Sequence, residues 1–391
     1  MSETRMEAPV QGDSDVRDML RESARDFVAR RLPRSRLRAL REAPQDLAGV
    51  WAEFSGLGWT GLMVPAEQGG SGLGLSEMAV VLEALGQAAA PEPLTPCGVL
   101  AARAIVMSES TPLRAELLEG LAAGSLMPAL AWQSSARLAQ AHAEPVQAEA
   151  SEEGWRLHGR LDFVRPGAGW SGLLVPAQSA EGLNLFWVPS GSAGLGVRTR
   201  TLADGSGCAG VLFDSVAVTG AQRLAASKAA STALDQALDF ARLAVAAELL
   251  GVIRGALAVS LEHLRTREQF GVAIGSFQAL RHRAVELYLQ QELVAASLED
   301  ATRQADAGLP TSDLQALAAR VKARASAAAL QVSKDAVQFH GAMGYTDECD
   351  VGLYLKRALT LSAWLGNASE LLAQQSSALH LDPAVLAGDT P

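Results

Sequence analysis

The stretch Arg265-Thr266-Arg267-Glu268-Gln269-Phe270-Gly271, continued by Ile274, Phe277, Gln278 and His282, decides how this chain is read. It lies between two long helical patterns, and Gly271 and Gly275 break the helical period where the chain must turn. Taken alone, a glycine-broken basic and aromatic segment of this kind is an interhelical connection. A second segment changes the weighing. Ala336-Val337-Gln338-Phe339-His340-Gly341-Ala342-Met343-Gly344-Tyr345-Thr346 follows another helical pattern with the same glycine and aromatic character. The two segments read as halves of one binding surface.

Around this pair the pattern is helical, near 230–265, 277–306, 312–341 and 350–378. Ser276 and Ser312 stand where caps are expected, and Gly308 and Gly341 where helices should stop. Leu280, Ala284, Leu287, Val294 and Leu298 form an apolar face of the width a helical bundle needs. Upstream, from about Met127 to Ala221, the chain turns into short β-like runs such as Leu173–Pro176, Leu183–Val188, Val197–Arg200 and Gly210–Phe213. Gly, Ser, Asp and Pro separate them, the rhythm of a small antiparallel barrel or sandwich. Before that the pattern is helical again, beginning at Ser14 or Asp15 with Val16, Met19, Leu20 and Phe27 on one face. The expected organisation is therefore a lead-in over 1–14, a helical domain over 15–125, a central β domain over 126–224 and a four-helix bundle over 225–391.

The chain has 391 residues, of which 49% are hydrophobic and 19% charged, the balance of a globular protein large enough for several packed units. Its formal charge of −10 argues against a nucleic-acid partner, whose phosphates require clustered positive charge. Cys97, Cys208 and Cys349 lie far apart in sequence, which suits neither a disulfide framework nor a metal site and points to the cytoplasm. The most apolar run, Leu243–Leu264, is interrupted by Glu248, Arg254 and Glu262, so it reads as a core helix and not a membrane span.

The two quoted segments together resemble the flavin-dependent acyl-CoA dehydrogenase family. Arg267 through His282 meets the family's Arg/Gln-Phe-Gly pattern with one residue of slack. Gln338, Gly341, Gly344 and Tyr345 meet its Gln/Gly-Gly/Gly-aromatic pattern, with Ala342 in place of the second glycine. Leu57-Gly58-Trp59-Thr60-Gly61-Leu62 and Val64-Pro65-Ala66-Glu67-Gln68-Gly69-Gly70 extend the likeness into the N-terminal third. The resemblance implies N-terminal helices, a β domain and a C-terminal bundle. It also implies α,β-desaturation of an acyl-CoA thioester with FAD as cofactor and an electron-transfer flavoprotein as redox partner, in a homo- or hetero-tetramer.

By the same resemblance, Arg267 would pair with the FAD pyrophosphate, Gln269 and Phe270 would pack beside the dinucleotide, and Gln338, Gly341 and Gly344 would come from a neighbouring subunit. In the β domain, Ser134 or Ser135 would hold a hydroxyl near the flavin ring. Phe163 and Arg165 would face that ring, Arg165 standing where relatives have a small hydroxyl. There it would swing away or bring positive charge to the ring. The catalytic base is the departure. Leu365 and Ala241 occupy the two positions where relatives carry the glutamate. Glu248 is a weak candidate seven residues beyond Ala241, but about 10 Å further along the helix axis, too far to substitute without a different acyl placement, and it reads more readily as half of a buried pair with an arginine. His340 and Glu348 are more simply parts of their loop. The run from Gln338 to Glu348, followed by Leu353-Tyr354-Leu355-Lys356-Arg357-Ala358, is similar to bacterial hetero-oligomeric members acting on steroid side-chain, cyclic or dicarboxylic acyl-CoA. In these, one subunit can lack the base, so a second expectation is a catalytically silent partner subunit.

Overall fold

The computed structural model describes residues 11–40, 47–134 and 146–378. Helix α1 (Gln11–Arg31) is followed by α2 (Arg34–Ala39), α3 (Leu47–Gly56), α4 (Leu75–Gln87), α5 (Ala102–Val106) and α6 (Pro112–Ala122). Since α1 starts at Gln11, it reaches back into the 1–14 stretch expected as a lead-in. Its inner face is Ala24 and Phe27, whereas Met19, expected on that face, is 71% exposed. Phe27, Phe54 and Trp59 pack with ring centroids 5.2–5.5 Å apart, joining α1 and α3 to the turn that follows.

The β domain holds β1 (Pro128–Leu130), β2 (Val146–Ser151), β3 (Gly154–Val164), β4 (Gly172–Ser179), β5 (Gly182–Pro189), β6 (Leu195–Thr201), β7 (Gly207–Val218) and β8 (Arg223–Ala226). They form one sheet in the order β6-β7-β3-β2-β4-β5-β8, with β1 parallel to β4. Strand β8 extends the sheet into the segment expected to begin the helical bundle, pairing antiparallel with β5. The alternating inward residues, Leu157, Leu161, Leu173, Val175, Phe186 and Val211 among them, make a core separate from that of the helices.

The C-terminal part comprises α7 (Ser227–Thr266), a hairpin of β9 (Glu268–Gln269) and β10 (Val272–Ala273), α8 (Gln278–Asp306), α9 (Thr311–His340), α10 (Val351–Ala363) and α11 (Ala368–Ala378). The helix expected over 350–378 is broken in two, with Leu365 at φ +63° and Gly366 at φ +98°. Neither expected serine caps its helix, because α8 starts after Phe277 and α9 after Pro310. Gly308 does follow α8 in the left-handed region, at φ +80°. Helix α7 is long and apolar enough to cross a membrane, yet 83% of its most apolar window is buried inside the protein. It is the core helix, packed on α4, α9 and α10.

The α4–α7 crossing is close because two glycines meet there. A Cβ on Gly86 would lie 2.0 Å from the Glu248 carbonyl oxygen, and one on Gly251 would lie 2.0 Å from that of Glu83. Both obstacles are backbone and cannot rotate aside. Gly251→Ala is expected to lower the unfolding free energy by about 1–3 kcal/mol as α4 is pushed off α7, read as an earlier midpoint in urea.

Candidate active site

Two separate places collect the candidate residues. The first is at the far end of α7. Arg267 ends that helix, its N–H bonded to the His263 carbonyl at 2.9 Å, and its side chain is exposed with no partner among the described residues. The His263 ring stacks on that of His340 with centroids 4.1 Å apart, which brings the end of α7 against the end of α9. Burial, then the neighbouring His340 and Arg267, pushes the His263 imidazole below its ordinary value. Gln338 and Gly341 are exposed, whereas Gly344 is buried; a Cβ on Gly344 would meet the Val337 carbonyl oxygen at 2.5 Å. Gly341 sits at φ +60° and Phe270, 93% exposed, at φ +56°. Within one chain, the His263–His340 stack brings the Arg267 segment and the glycine turn to the same end of the bundle.

The second place is a cavity of about 300 Å³ between β3 and α10, bordered by Gln133, Phe163, Arg165, Thr360 and Trp364. Two of the sequence-derived residues meet there. Ser134 follows the lining residue Gln133 and is partly buried, its Oγ shielded and without a partner; Ser135 lies outside the described residues. Arg165 has turned toward α10. Its guanidinium lies 4.6 Å from the Trp364 ring centroid, and Nη2 donates to the Thr360 carbonyl at 3.5 Å. Burial lowers its pKa to about 10, against the pull of Asp204.

Leu365 and Ala241 are both buried. Arg242 donates from Nε to the Leu365 carbonyl at 3.2 Å and from Nη1 to Asp239 at 2.6 Å, so the two positions lie side by side. The loop between them is held by Lys322, a buried lysine that sequence reasoning missed. Its Nζ donates to the carbonyls of Leu361 (3.1 Å), Ser362 (2.8 Å) and Gly366 (3.0 Å), satisfying the acceptors left over at the end of α10. Burial, with Arg242 and Arg165 nearby, drives its pKa well below the ordinary lysine value.

Glu248 is buried and engaged on both oxygens, by the Thr95 hydroxyl and by Arg357. Arg357 also donates to Asp204 at 2.7 Å. Burial lowers the Arg357 pKa, but the two carboxylates outweigh it and raise it overall. Around this cluster the interior between Pro91–Pro96 and α10 has a volume of only about 30 Å³, room for a water or so and not an acyl chain.

Asp239, two residues before Ala241, is an acid the sequence reading passed over. Burial, opposed by Arg242, pushes its pKa up to about 6. Since an unfolded Asp titrates near 3.9, the native state holds the extra proton across that window and stability falls as pH rises from about 4 to 6. Asp239→Asn should remove a decline on the order of 2 kcal/mol, seen by comparing urea unfolding at the two ends of the window.

Comparison with known proteins agrees with this geometry. The family model described as "Acyl-CoA dehydrogenase, C-terminal domain" matches residues 219–376, and "Acyl-CoA dehydrogenase, N-terminal domain" matches 14–125. Acyl-CoA dehydrogenase IpdE2 of Mycobacterium tuberculosis is 28% identical over 372 residues, covering 94% of this chain and 99% of that protein. Among solved structures, a chain of the Tcur3481-Tcur3483 steroid ACAD is 30% identical with a TM-score of 0.82, over 94% of this chain and 98% of its own. A chain of the ChsE4-ChsE5 complex from Mycobacterium tuberculosis is 25% identical with a TM-score of 0.84, over 95% and 98%. With helices, central sheet and bundle in this order, the chain belongs to the acyl-CoA dehydrogenase family.

Proposed function

We propose that this chain is one subunit of an FAD-dependent acyl-CoA dehydrogenase in which a second family subunit provides the base. The observation that carries this reading is chemical. Among the described residues, no aspartate or glutamate lines the cavity between β3 and α10, and the two inherited base positions are a buried leucine and a buried alanine. Neither side chain can take a proton from the α-carbon of a thioester.

What the chain retains is the other end of a dinucleotide site. Arg267 is an unpaired, permanently charged fork suited to a pyrophosphate, and the Gly341–Gly344 turn leaves backbone exposed beside it. Arg267 and the glycine turn stand apart from the residues that line the cavity between β3 and α10. In this reading Arg267, Gln269, Phe270, Gln338, Gly341 and Gly344 would hold the phosphate end of a cofactor whose ring is bound by the partner subunit. FAD, when bound, accepts the hydride from the acyl β-carbon. This chain's part is to hold its phosphates and close the crevice.

The face around these residues suits such an assembly. Val285, Tyr288, Leu289 and Leu293 form an exposed apolar stripe on α8, and Phe270 and Tyr345, the latter 82% exposed, add further exposed aromatic surface. Likeness to a steroid ACAD directs the first substrate panel to bulky cyclic acyl-CoA thioesters, with an electron-transfer flavoprotein as acceptor. A reducing, cytoplasmic setting belongs to the same reading, with Cys97 and Cys208 as buried free thiols. The test is anaerobic addition of acyl-CoA to the purified chain, alone and combined with a family subunit carrying the glutamate. Flavin bleaching is expected only in the combination; bleaching by the chain alone would overturn the proposal.

A further inference from the structure

We infer that the cavity between β3 and α10 is a carboxylate-binding site anchored by Arg165. This rests on the reading that the chain's own cavity carries out no redox step, and it says what the cavity takes instead.

Among the described residues Arg165 forms no direct ion pair; Asp204 acts on it only through space. Among the described residues its Nε is shielded from solvent and has no partner, and its hydrogen bond to the Thr360 carbonyl is at the 3.5 Å limit. The acids nearby are already engaged. Asp204 accepts from Arg357 at 2.7 Å and from the Ser206 hydroxyl at 2.7 Å, while Glu248 accepts from Arg357 and Thr95. A desolvated guanidinium with open donors is costly unless an anion meets it, and its planar fork matches a carboxylate through two parallel bonds.

The rest of the cavity describes the ligand's body. Its walls are Phe163, Leu202, Leu359, Ala363 and the Trp364 ring on which Arg165 stacks. About 300 Å³ is enough for a small ring system. An oxidised flavin ring would fit by size but is neutral and leaves the guanidinium uncompensated. A flat or cyclic apolar molecule bearing one carboxylate satisfies both features.

Benzoate and its neutral isostere benzamide serve as probes, titrated calorimetrically into the full-length chain. Benzoate is expected to bind at least tenfold more tightly. Arg165→Met should abolish that preference, and Arg165→Lys should restore part of it. Because methionine removes a desolvated charge and keeps the bulk, Arg165→Met should melt at or above the wild-type temperature, so loss of binding is not loss of fold. Equal affinity for the two probes, an undiminished preference in Arg165→Met, or displacement of benzoate by FAD would each overturn the assignment. Flavin bleaching in the two-subunit assembly is measured separately: its failure would count against the subunit reading and leave the benzoate result to be judged by itself.

Discussion

Arg357→Met is expected to lower the unfolding free energy by roughly 3–5 kcal/mol, the usual cost of removing one partner from a buried ion cluster. Arg357 is 3% exposed and ties three parts of the fold together: its own α10, Glu248 on α7, and Asp204 in the turn between β6 and β7. Without it, two buried carboxylates lose their counter-ion at once, and Thr95 and Ser206 alone cannot offset the charge. The effect also has a pH signature. Burial raises the Asp204 pKa, but Arg357 and the Ser206 hydroxyl overcome it and leave it below the ordinary value. A lowered pKa means stability present above the unfolded value near 3.9 and lost as pH falls through the native one. In the variant burial is opposed only by the Ser206 hydroxyl and the more distant Arg165, so the deficit should be larger at pH 7 than at pH 4. Urea unfolding at both values checks this, and a deficit under about 1 kcal/mol at neutral pH would place the pair with ordinary surface bridges.

Arg267→Ala should weaken FAD binding by the two-subunit assembly roughly 10- to 100-fold, on the scale of charge-assisted hydrogen bonds worth about 1.5–3 kcal/mol. The melting temperature of the isolated chain should not move, because the side chain is exposed and bonds to nothing among the described residues. That contrast separates a ligand contact from a structural one. Arg267→Lys should recover only part of the affinity, since an ammonium keeps the charge but not the two-pronged geometry. Fluorescence titration of the apo-assembly with FAD gives both numbers. Unchanged affinity in the alanine variant would remove Arg267 from the cofactor site.

Local pattern was enough to reveal the three-part architecture. Short apolar β-like runs such as Leu183–Val188 and the helical-period face Leu280, Ala284, Leu287, Val294 and Leu298 register in the local order of apolar residues, and both became the elements they suggest. It misjudged places where local preference yields to packing. The break after Ala363 is stabilised by Lys322 reaching across from α9, and nothing near residue 365 in sequence announces it. The caps expected at Ser276 and Ser312 gave way to extended Phe277 and Pro310.

The sequence by itself determined the family, the order of its domains and the presence of an alanine at residue 241 and a leucine at residue 365, because these depend only on which residue stands where. Only the tertiary structure decided what the remaining charges do. Glu248 is taken up by Arg357 from more than a hundred positions away; Arg165 turns onto Trp364; and Arg267 shares a face with the Gly341 turn through the His263–His340 stack. Pairing of buried charge is settled by distance in space and exclusion of water, and neither is written in the spacing of residues along the chain.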